Sequence, residues 1–425
     1  MLEIIPFKKP LKAVIKAPSS KSHTLRAFFL AGLSGGKSII IDPLLAEDQF
    51  YALSALKEFG ITSQIKRNKI IIVGCGGKLK LPSKKIFIGN SGVTARFLAS
   101  FAALAPQGKI IIDGNKRMRE GRPIKDLIHG LRQLGVKIKS IYNNGCLPIE
   151  VEGGTLKGGA CKMKGNISSQ YFSSILISAP YAQRDTTIKC VGPLRSKPYI
   201  DVTIQMMNDF GVKVINKNYQ EFFVRSGQRY NSRKYQIEGD YTNASYFLAA
   251  AAISGGRIKI KNLKRNSKQG DKIILNILQK MRCQINKRKE EVELLSLGKL
   301  KPIGKIDMQD FPDLVPTVAI LAAFANGKTE IENIEHLRYK ESDRIKALVT
   351  ELAKMNIEVK EKKDGLSIVG NPERITGAKI ACYNDHRIAM AFSVMGLKIP
   401  KVVILDEQCV NKSFPHFYDY LSKLV

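Results

Sequence analysis

Four predicted helices begin with cationic side chains at or near the first turn. They start at residues 18–26, 89–96, 384–387 and 412–415. Helix N-termini usually favour Asp or Glu, because their free N–H groups and the helix dipole make that end partly positive. Lys or Arg becomes favourable there when an anion lies beside it, since the side chain and the N–H groups then bind together. The repeated pattern therefore predicts an anion-binding site built from several helix starts.

Carboxylates accompany these cations at two further helix starts. Asp313 precedes the apolar run 314–324, and Glu341 and Asp343 precede the run 345–355. Such acids can be ordinary helix caps, or they can serve as a general acid or base beside the cations. Their positions in the sequence leave both interpretations open.

The whole chain shares this cationic character. Its 425 residues contain 69 Lys and Arg against 37 Asp and Glu, which gives a net charge of +32. The composition is 44% hydrophobic and 25% charged, which excludes a disordered chain and allows two domains of about 200 residues or three of about 140. The charge favours anionic ligands, but alone it does not choose among phosphate esters, carboxylates and nucleic acid.

The cysteines and the apolar runs bear on location and on metal binding. Seven scattered cysteines without a C-x-x-C pair argue against a disulfide framework and against a thiolate zinc site. The run 315–325 is far shorter than the roughly 18 residues needed to cross a bilayer. We therefore expect a cytoplasmic protein with no membrane segment and no metal.

Six similar passages divide the chain, each an Ala- and Leu-rich helical run, a turn and a β-branched segment. Their turns lie at Gly36, Gly108, Arg184, Gly256, Gly327 and Pro400, with steps of 72, 76, 72, 71 and 73 residues by subtraction. A unit of this length is too long for most solenoids and predicts a small helix–strand–helix–strand module. Six modules predict two domains of three modules each.

The sixth module runs out of chain where the other five continue into a pair of strands. Residues 3–7 and 12–16 have strand character and no helix of their own, so we expect them to complete the sixth module. This closure predicts a discontinuous C-terminal domain, residues 1–19 plus 239–425, and an N-terminal domain at 20–238. We expect the active site in the cleft between the two domains.

At the level of motifs, the chain resembles the 5-enolpyruvylshikimate-3-phosphate synthase family over nearly its whole length. The resemblance is carried by these segments in this order: residues 20–26, 89–92 with Arg96, 122–124, 168–170, 196–199, 312–313, 340–344, 384–387 and 412–415. It implies an α/β (α+β) fold of two domains, each built from three βαβαββ repeats that close around substrates. We expect a monomer.

The resemblance also implies a reaction and its substrates. Such enzymes transfer the enolpyruvyl group of phosphoenolpyruvate to the 5-hydroxyl of shikimate 3-phosphate and release phosphate, without a cofactor. Positions implied for shikimate 3-phosphate are Lys21, Ser22, Arg26, Ser168, Ser169, Gln170, Ser196, Tyr199, Asp313, His336 and Lys340. Positions implied for phosphoenolpyruvate are Lys21, Asn90, Gly92, Arg122, Gln170, Arg344, His386, Arg387 and Lys412.

Three residues receive catalytic roles from the resemblance. Asp313 is the candidate base at the attacking hydroxyl, and Glu341 is the candidate acid and later base at C3. Lys21 would stabilise developing charge and is a candidate to relay a proton, and we expect other cations to crowd it. Glu341 lies in sequence between Lys340 and Arg344, an environment that favours its ionised form.

Two other functions account for part of these features. The related enolpyruvyl transferase that acts on UDP-N-acetylglucosamine would show a Lys-Asn start and a loop cysteine, whereas this chain has Lys21-Ser22 and no cysteine between Lys109 and Leu131. A nucleic-acid-binding protein would use the high charge, but the sequence lacks basic segments interleaved with aromatic residues and zinc ligands. We therefore expect small-molecule substrates rather than nucleic acid.

Overall fold

A computed structural model describes residues 1–424 as two compact units. The N-terminal unit is Ser19–Ile237, and the C-terminal unit combines Met1–Pro18 with the chain from Glu238 onward. Each unit encloses its own cluster of buried apolar side chains. Among the described helices, none is both long enough and apolar enough to cross a bilayer.

The first strands and the three repeats of the N-terminal unit follow one order of elements. The chain opens with β1 (Leu2–Glu3) and β2 (Lys12–Lys16). The first repeat contains α1 (Lys21–Leu33), β3 (Gly35–Ile41), α2 (Glu47–Glu58), β4 (Thr62–Lys66) and β5 (Lys69–Cys75). The second contains β6 (Ile86–Phe87), α3 (Gly92–Phe101), β7 (Lys109–Asp113), α4 (Lys116–Glu120), α5 (Lys125–Gln133), β8 (Ile138–Ser140) and β9 (Ile149–Glu152). The third contains β10 (Gly159–Lys164), α6 (Ser169–Ser178), β11 (Thr186–Val191), α7 (Lys197–Asp209), β12 (Ile215–Lys217) and β13 (Glu221–Val224).

The C-terminal unit repeats the same order. The fourth repeat follows β14 (Lys234–Gln236) and contains α8 (Tyr241–Ser254), β15 (Arg257–Lys261), α9 (Ile274–Lys280), β16 (Gln284–Lys287) and β17 (Glu291–Leu295). The fifth contains β18 (Gly304–Asp307), α10 (Val315–Ala323), β19 (Gly327–Glu332), α11 (Arg344–Lys354), β20 (Glu358–Lys362) and β21 (Gly365–Gly370). The sixth contains β22 (Lys379–Ile380), α12 (His386–Gly396), β23 (Val403–Ile404) and α13 (Phe417–Ser422).

Five of the repeats form four-stranded sheets and the sixth forms a three-stranded sheet. In each four-stranded sheet, one edge strand runs parallel to its neighbour and the remaining two pairs are antiparallel. One of these two antiparallel pairs is a hairpin of consecutive strands. The predicted six-repeat α/β architecture is confirmed.

The N-terminal segment closes the C-terminal unit differently from our expectation. Strand β1 pairs antiparallel with β23 and supplies the missing strand of the sixth sheet. Strand β2 instead pairs in parallel with β15, in the fourth sheet. The expectation that residues 12–16 complete the sixth module is therefore wrong. Strand β14 takes the corresponding parallel edge beside β3 in the first sheet.

Three helices in each unit are buried on nearly every side. They are α1, α3 and α6 in the N-terminal unit and α8, α10 and α12 in the C-terminal unit. Their sequences are apolar or small around the whole circumference, which is the pattern of a helix enclosed by other elements. Because these helices pack on one another, the polar residues at their first turns are held by a rigid core.

Candidate active site

Eight α-helices lack acidic side chains in their first turns. They are α1, α3, α6, α7, α8, α10, α11 and α12. Three of them, α8, α11 and α12, nevertheless have an Asp as the N-cap, and the 3₁₀ helices that contain His336 and Lys412 have an acid in their first turns. By contrast, α1, α3, α6 and α7 have a serine as the N-cap, so no acid of the cap or the first turn offsets their positive ends, which suits them to bind anions.

Capping side chains set where several of these helices start. Ser20 accepts a hydrogen bond from the backbone N–H of His23 and so places Lys21 at the first residue of α1. Asp385 caps α12 by accepting from the backbone N–H of Arg387, whereas Ser91 occupies the N-cap position of α3 without a side-chain hydrogen bond to its backbone. The predicted starts at residues 18–26, 89–96 and 384–387 are confirmed within the local sequence.

Lys412 is placed differently from the prediction. It is the last residue of the 3₁₀ helix Glu407–Lys412, whereas α13 begins only at Phe417. Lys412 is 5% exposed, so most of its side chain is covered. A cation in the last turn suits the negative end of a helix, and it does not open the following one.

Lys21 lies beside a buried carboxylate that the sequence did not reveal. Its Nζ is 3.6 Å from Oδ2 of Asp48, and the two side chains are 10% and 3% exposed. The amide of Gln49 also donates to the backbone oxygen of Lys21, at 3.4 Å. The environment of Lys21 therefore includes an opposite charge that the sequence did not predict.

Arg26 is buried and held entirely by neutral oxygens in its hydrogen bonds. Its Nε donates to Oγ1 of Thr203 at 2.7 Å, and its two Nη atoms donate to the backbone oxygens of Ser22 and Tyr199 at 3.0 Å each. Burial lowers the pKa of the guanidinium to about 10, against a smaller opposing effect of Tyr199. Bringing an anion near would offset the loss of hydration that burial imposes.

Arg96 and Arg122 surround the start of α3. Nη1 of Arg122 donates to the backbone oxygen and to Oδ1 of Asn90, at 3.0 and 3.1 Å. Arg96 donates to the backbone oxygens of Gly92 and Pro123, at 3.1 and 2.9 Å. A Cβ on Gly92 would lie 2.2 Å from Nη2 of Arg122 and 2.9 Å from Nη1 of Arg96. Glycine at this position is what lets both guanidinium groups approach the helix start.

The serine residues of the third repeat lie at two helix starts. Ser168 caps α6 through a 3.3 Å hydrogen bond from the backbone N–H of Gln170, and Ser169 is buried as its first residue. Ser196 precedes α7 in a left-handed conformation, with φ of 60°, and its side chain makes no capping hydrogen bond. Its hydroxyl is therefore not committed to the helix start. Tyr199 joins this region to Arg26 through its backbone oxygen.

In the C-terminal unit, Arg344 connects three carboxylates. It donates to Oδ2 of Asp385 at 2.9 Å, to Oδ1 of Asp313 at 2.8 Å and to Oε2 of Glu341 at 3.0 Å. Burial lowers the pKa of this guanidinium, but Asp385, Glu341 and Asp313 raise it by more, and the net shift is upward. Arg344 therefore remains a cation and holds the three acids together.

Arg387 completes this set from the start of α12. Its Nη2 donates to Oδ2 of Asp313 at 3.1 Å, and its Nη1 donates to Oδ1 of Asn243 at 3.0 Å. Both oxygens of Asp313 therefore accept a hydrogen bond from a guanidinium group. We call Asp313, Glu341, Arg344, Asp385 and Arg387 the acid–arginine cluster.

The structure distinguishes the two open interpretations of the acids. Asp343 is the N-cap of α11 and accepts from the backbone N–H of Lys346 at 3.1 Å. Asp313 precedes Leu314, the N-cap of α10, and contacts the two arginines instead. The capping interpretation therefore fits Asp343 and is wrong for Asp313.

His336, Lys340 and His386 are close in sequence to members of the acid–arginine cluster. His336 is buried in the 3₁₀ helix Glu335–Tyr339, and Lys340 follows that helix directly. His386 is fully buried beside Asp385, with Nδ1 3.8 Å from Oδ1. Across residues 1–424, no group of three or more His, Cys, Asp or Glu side chains could hold a metal ion.

Sequence analysis missed three residues that hold the predicted ones. Asp48 accompanies Lys21, Thr203 holds Arg26, and Asn243 holds Arg387. In the sequence, Asp48 looks like an ordinary acid in the first turn of a helix. Nothing in the sequence around Thr203 or Asn243 indicates that they contact arginines, since these contacts exist only in the tertiary structure.

Comparison with known proteins gives the same family throughout. Residues 6–421 match the family model of EPSP synthase (3-phosphoshikimate 1-carboxyvinyltransferase). The 3-phosphoshikimate 1-carboxyvinyltransferase of Methanocaldococcus jannaschii is 42% identical over 415 residues, covering 97% of this chain and 96% of that protein. The protein of the same name from Trichormus variabilis is 40% identical over 426 residues, covering 100% and 99%.

A solved structure agrees with these sequence matches. The EPSP synthase of Acinetobacter baumannii superposes with a TM-score of 0.83 at 26% identity, covering 99% of this chain and 97% of that one. The family model spans nearly the whole chain, and the two relatives are 42% and 40% identical at almost full length. This chain therefore belongs to the EPSP synthase family.

Proposed function

We propose that this enzyme transfers the enolpyruvyl group of phosphoenolpyruvate to the 5-hydroxyl of shikimate 3-phosphate and releases inorganic phosphate. Family membership supports the reaction. The observation that carries the chemistry is Asp313, a carboxylate held at both oxygens by Arg344 and Arg387. This arrangement supplies a base and two cations at one place, as a reaction between an alcohol and an anionic substrate requires.

The proposal assigns shikimate 3-phosphate mainly to hydroxyl groups and cations. Arg26 and the serines at the starts of α6 and α7 are suited to its phosphate, because an Arg fork and hydroxyl donors bind such oxygens well. The assigned residues are Lys21, Ser22, Arg26, Ser168, Ser169, Gln170, Ser196, Tyr199, Asp313, His336 and Lys340. Burial of Arg26 strengthens its attraction for an anion.

Phosphoenolpyruvate is assigned to a second set of cations. Arg122 is fixed by Asn90, and Gly92 leaves space for the guanidinium group beside it. Arg344 and Arg387 are fixed by the carboxylates of the acid–arginine cluster. The assigned residues are Lys21, Asn90, Gly92, Arg122, Gln170, Arg344, His386, Arg387 and Lys412. Fixed guanidinium groups can orient the substrate carboxylate and phosphate without reorganising during the reaction.

In the proposed mechanism, the 5-hydroxyl oxygen bonds to C2 of phosphoenolpyruvate while Asp313 accepts the hydroxyl proton. Each oxygen of Asp313 accepts one guanidinium N–H, and a carboxylate oxygen has a further lone pair for the substrate. C3 gains a proton in the same addition, which gives a tetrahedral intermediate at C2. Loss of a proton from C3 and departure of phosphate from C2 then form the enolpyruvyl ether.

Glu341 and Lys21 complete the proposed proton transfers. Glu341 is 8% exposed and accepts from Arg344 at 3.0 Å, so it is held near the other acids. The proposal gives it the proton transfers at C3. An acid role requires it to carry a proton, which exclusion of water on substrate binding would favour. Lys21, oriented by Asp48, stabilises the charge that develops on the leaving phosphate.

Release of phosphate tests the proposed function. The enzyme is mixed with shikimate 3-phosphate and phosphoenolpyruvate together, and with each substrate alone. We expect stoichiometric phosphate release only when both substrates are present, because bond formation at C2 must precede loss of phosphate. Absence of release with both substrates would overturn the proposal, and equal release from phosphoenolpyruvate alone would indicate a simple phosphatase.

The proposed setting is the cytoplasm, with the enzyme acting as a monomer without nucleic acid. Seven cysteines are free thiols, and five of them are buried, which is compatible with a reducing compartment. Sedimentation of the purified protein would test the monomer. A salt-sensitive affinity for nucleic acid in the low micromolar range at physiological ionic strength would contradict the proposal that the enzyme acts without nucleic acid.

A further inference from the structure

Asn243 is a fully buried amide at the first turn of α8. Its Oδ1 accepts a 3.0 Å hydrogen bond from Nη1 of Arg387. A guanidinium group has only N–H donors, so the oxygen of the amide must face Arg387. This requirement fixes the orientation of the amide and directs Nδ2 away from the arginine.

The Nδ2 atom of Asn243 has no hydrogen-bond partner within residues 1–424, although it is buried. The neighbouring Nε of Arg387 is likewise buried and without a partner in that range. A buried donor without a partner destabilises the folded state, because the hydrogen bond that it made to water is lost and not replaced. The two donors belong to side chains that are hydrogen-bonded to each other, and a bound anion would supply the oxygens that they lack.

The rest of the α8 start fixes the position of Asn243. Asp240 caps the helix by accepting from the backbone N–H of Asn243 at 2.9 Å, which fixes the backbone beneath the amide. The carboxylate of Asp240 lies at the positive end of this 14-residue helix and offsets its charge. The attraction for an anion at this place therefore comes from Arg387.

Neighbouring polar side chains on α8 are committed elsewhere. The hydroxyl of Thr242 donates to Asp271. The hydroxyl of Ser245 donates to the backbone oxygen of Thr242 at 2.6 Å and lies 2.9 Å from Oγ1 of Thr317. Unlike Thr242 and Ser245, Asn243 has a donor, Nδ2, without a hydrogen-bond partner within residues 1–424, and it contacts Arg387 of the acid–arginine cluster.

We propose that Asn243 is a further substrate-orienting residue, whose Oδ1 fixes Arg387 and whose Nδ2 donates to an anionic oxygen of phosphoenolpyruvate. The inference rests on the proposed function, because it takes from that function the assignment of Arg387 to phosphoenolpyruvate. It adds a neutral donor to the cations already assigned. One side chain then sets the direction of the guanidinium and contacts the same anion.

Steady-state kinetics of Asn243→Ala test the inference, with Ser245→Ala as the matched control. Both changes remove a buried hydrogen-bonding group from one turn of α8, but Ser245 does not contact Arg387. We expect Asn243→Ala to raise KM for phosphoenolpyruvate about 10- to 100-fold, the scale of one charge-assisted hydrogen bond. KM for shikimate 3-phosphate should change less than about threefold, and Ser245→Ala should leave both constants near those of the parent.

A merely structural role gives a different result. Asn243→Ala would then lower the melting temperature while KM for phosphoenolpyruvate stayed within about threefold of the parent, and this would overturn the inference. If Asn243→Ala does not fold, Asn243→Ser is judged by the same criterion, since it retains a small polar side chain.

A second variant tests the donor itself. Asn243→Asp keeps an oxygen for Arg387 but replaces the N–H donor by a second oxygen, so it should bind phosphoenolpyruvate more weakly than Asn243→Ala. Tighter binding by Asn243→Asp would overturn the donor role. Failure of the proposed function is distinguishable, because the unmodified enzyme itself would then release no phosphate from the two substrates.

Discussion

Buried arginines of the two units have different kinds of partner. In the N-terminal unit, Arg26 donates to a hydroxyl and to two backbone oxygens, and Arg96 donates to two backbone oxygens. In the C-terminal unit, Arg344 donates to three carboxylates, and Arg387 donates to a carboxylate and an amide. The first kind of contact orients the cation, whereas the second also neutralises it.

The pKa shifts follow this difference. Burial lowers the pKa of Arg26 to about 10, because its hydrogen-bond partners carry no full negative charge. The pKa of Arg344 is raised, because three carboxylates outweigh the effect of burial. An anion bound by Arg26 therefore meets a charge that its own contacts have not compensated.

The comparison assigns different work to the two regions. Arginines held by neutral oxygens keep their attraction for a substrate phosphate or carboxylate. The acid–arginine cluster contains three carboxylates and two guanidinium groups, so its charges largely compensate while its acids stay fixed. We interpret the first arrangement as suited to binding and the second as suited to directed proton transfer.

Replacing the shared carboxylate of the acid–arginine cluster should have the largest effect. Asp313→Asn preserves the shape but removes the base, so we expect kcat to fall at least about 100-fold. Affinity for shikimate 3-phosphate should change much less, because the base acts in the transition state. Rapid-quench or steady-state phosphate release measures the first quantity, and equilibrium binding measures the second.

The control for this variant is Asp343→Asn, which alters a capping carboxylate in the same repeat. It should cost about 0.5–2 kcal/mol of stability and leave turnover nearly unchanged. If Asp313→Asn behaved like this control, Asp313 would not be the base and the proton would have to pass to Glu341 or Lys21.

Removing an arginine that has neutral partners should have an intermediate effect, on binding more than on turnover. Arg26→Ala removes one charge-assisted contact, worth about 1.5–3 kcal/mol, so KM for shikimate 3-phosphate should rise roughly 10- to 150-fold. The contact exists in the ground state and the transition state alike, so kcat should change much less. Initial-rate kinetics with each substrate varied separates the two constants.

Arg338→Ala is the control for Arg26→Ala. Unlike Arg26, Arg338 already binds two carboxylates, those of Asp343 and Glu361. It should lower stability without a selective effect on shikimate 3-phosphate. A large loss of kcat in Arg26→Ala with an unchanged KM would contradict the division between binding and proton transfer.

Local sequence was sufficient for the repeat and for most helix starts. Small capping residues and the missing first-turn acids depend on neighbours within one turn of helix, so Ser20, Ser91 and Asp385 could be found from the sequence. The regular spacing of turns gave the six modules because each module repeats the same local order. The helix starts predicted the cations of α1, α3 and α12 and an anion site, whereas the assignment of residues to each substrate came from the family resemblance.

Pairings between distant segments could not be found in that way. Strands β2 and β14 both look like edge strands, and nothing in either sequence says that β2 pairs with β15 and β14 with β3. Asp48 resembles any acid in a first turn, although it lies against Lys21. Which strands pair and which side chains meet depends on the tertiary fold, and the secondary-structure propensity of a segment does not determine it.

The smallest effect on turnover is expected at Asp271, a buried carboxyl that accepts from Thr242. Burial raises its pKa to about 7, and the charges of Asp313 and Asp240 add to the shift while Arg387 opposes it. Between pH 4 and 7 the folded protein therefore keeps a proton that the unfolded chain has released. Since the folded state binds more protons there, this group makes stability fall as the pH rises through that range.

Asp271→Asn mimics the protonated carboxyl, so it should remove that part of the pH dependence. We expect its melting temperature relative to the parent to become more favourable between pH 5 and pH 8, with turnover changed less than about threefold. Glu330→Gln is the control, because lysines 328 and 362 lower the pKa of Glu330 to about 2 and it stays ionised throughout this range. Its melting difference from the parent should be flat. A flat difference for Asp271→Asn as well would show that Asp271 is already ionised at pH 5. The three carboxylates of the acid–arginine cluster would then have a fourth negative charge nearby, on Asp271. Its two arginines would be outnumbered further, and the contrast with Arg26, which has only neutral hydrogen-bond partners, would become larger.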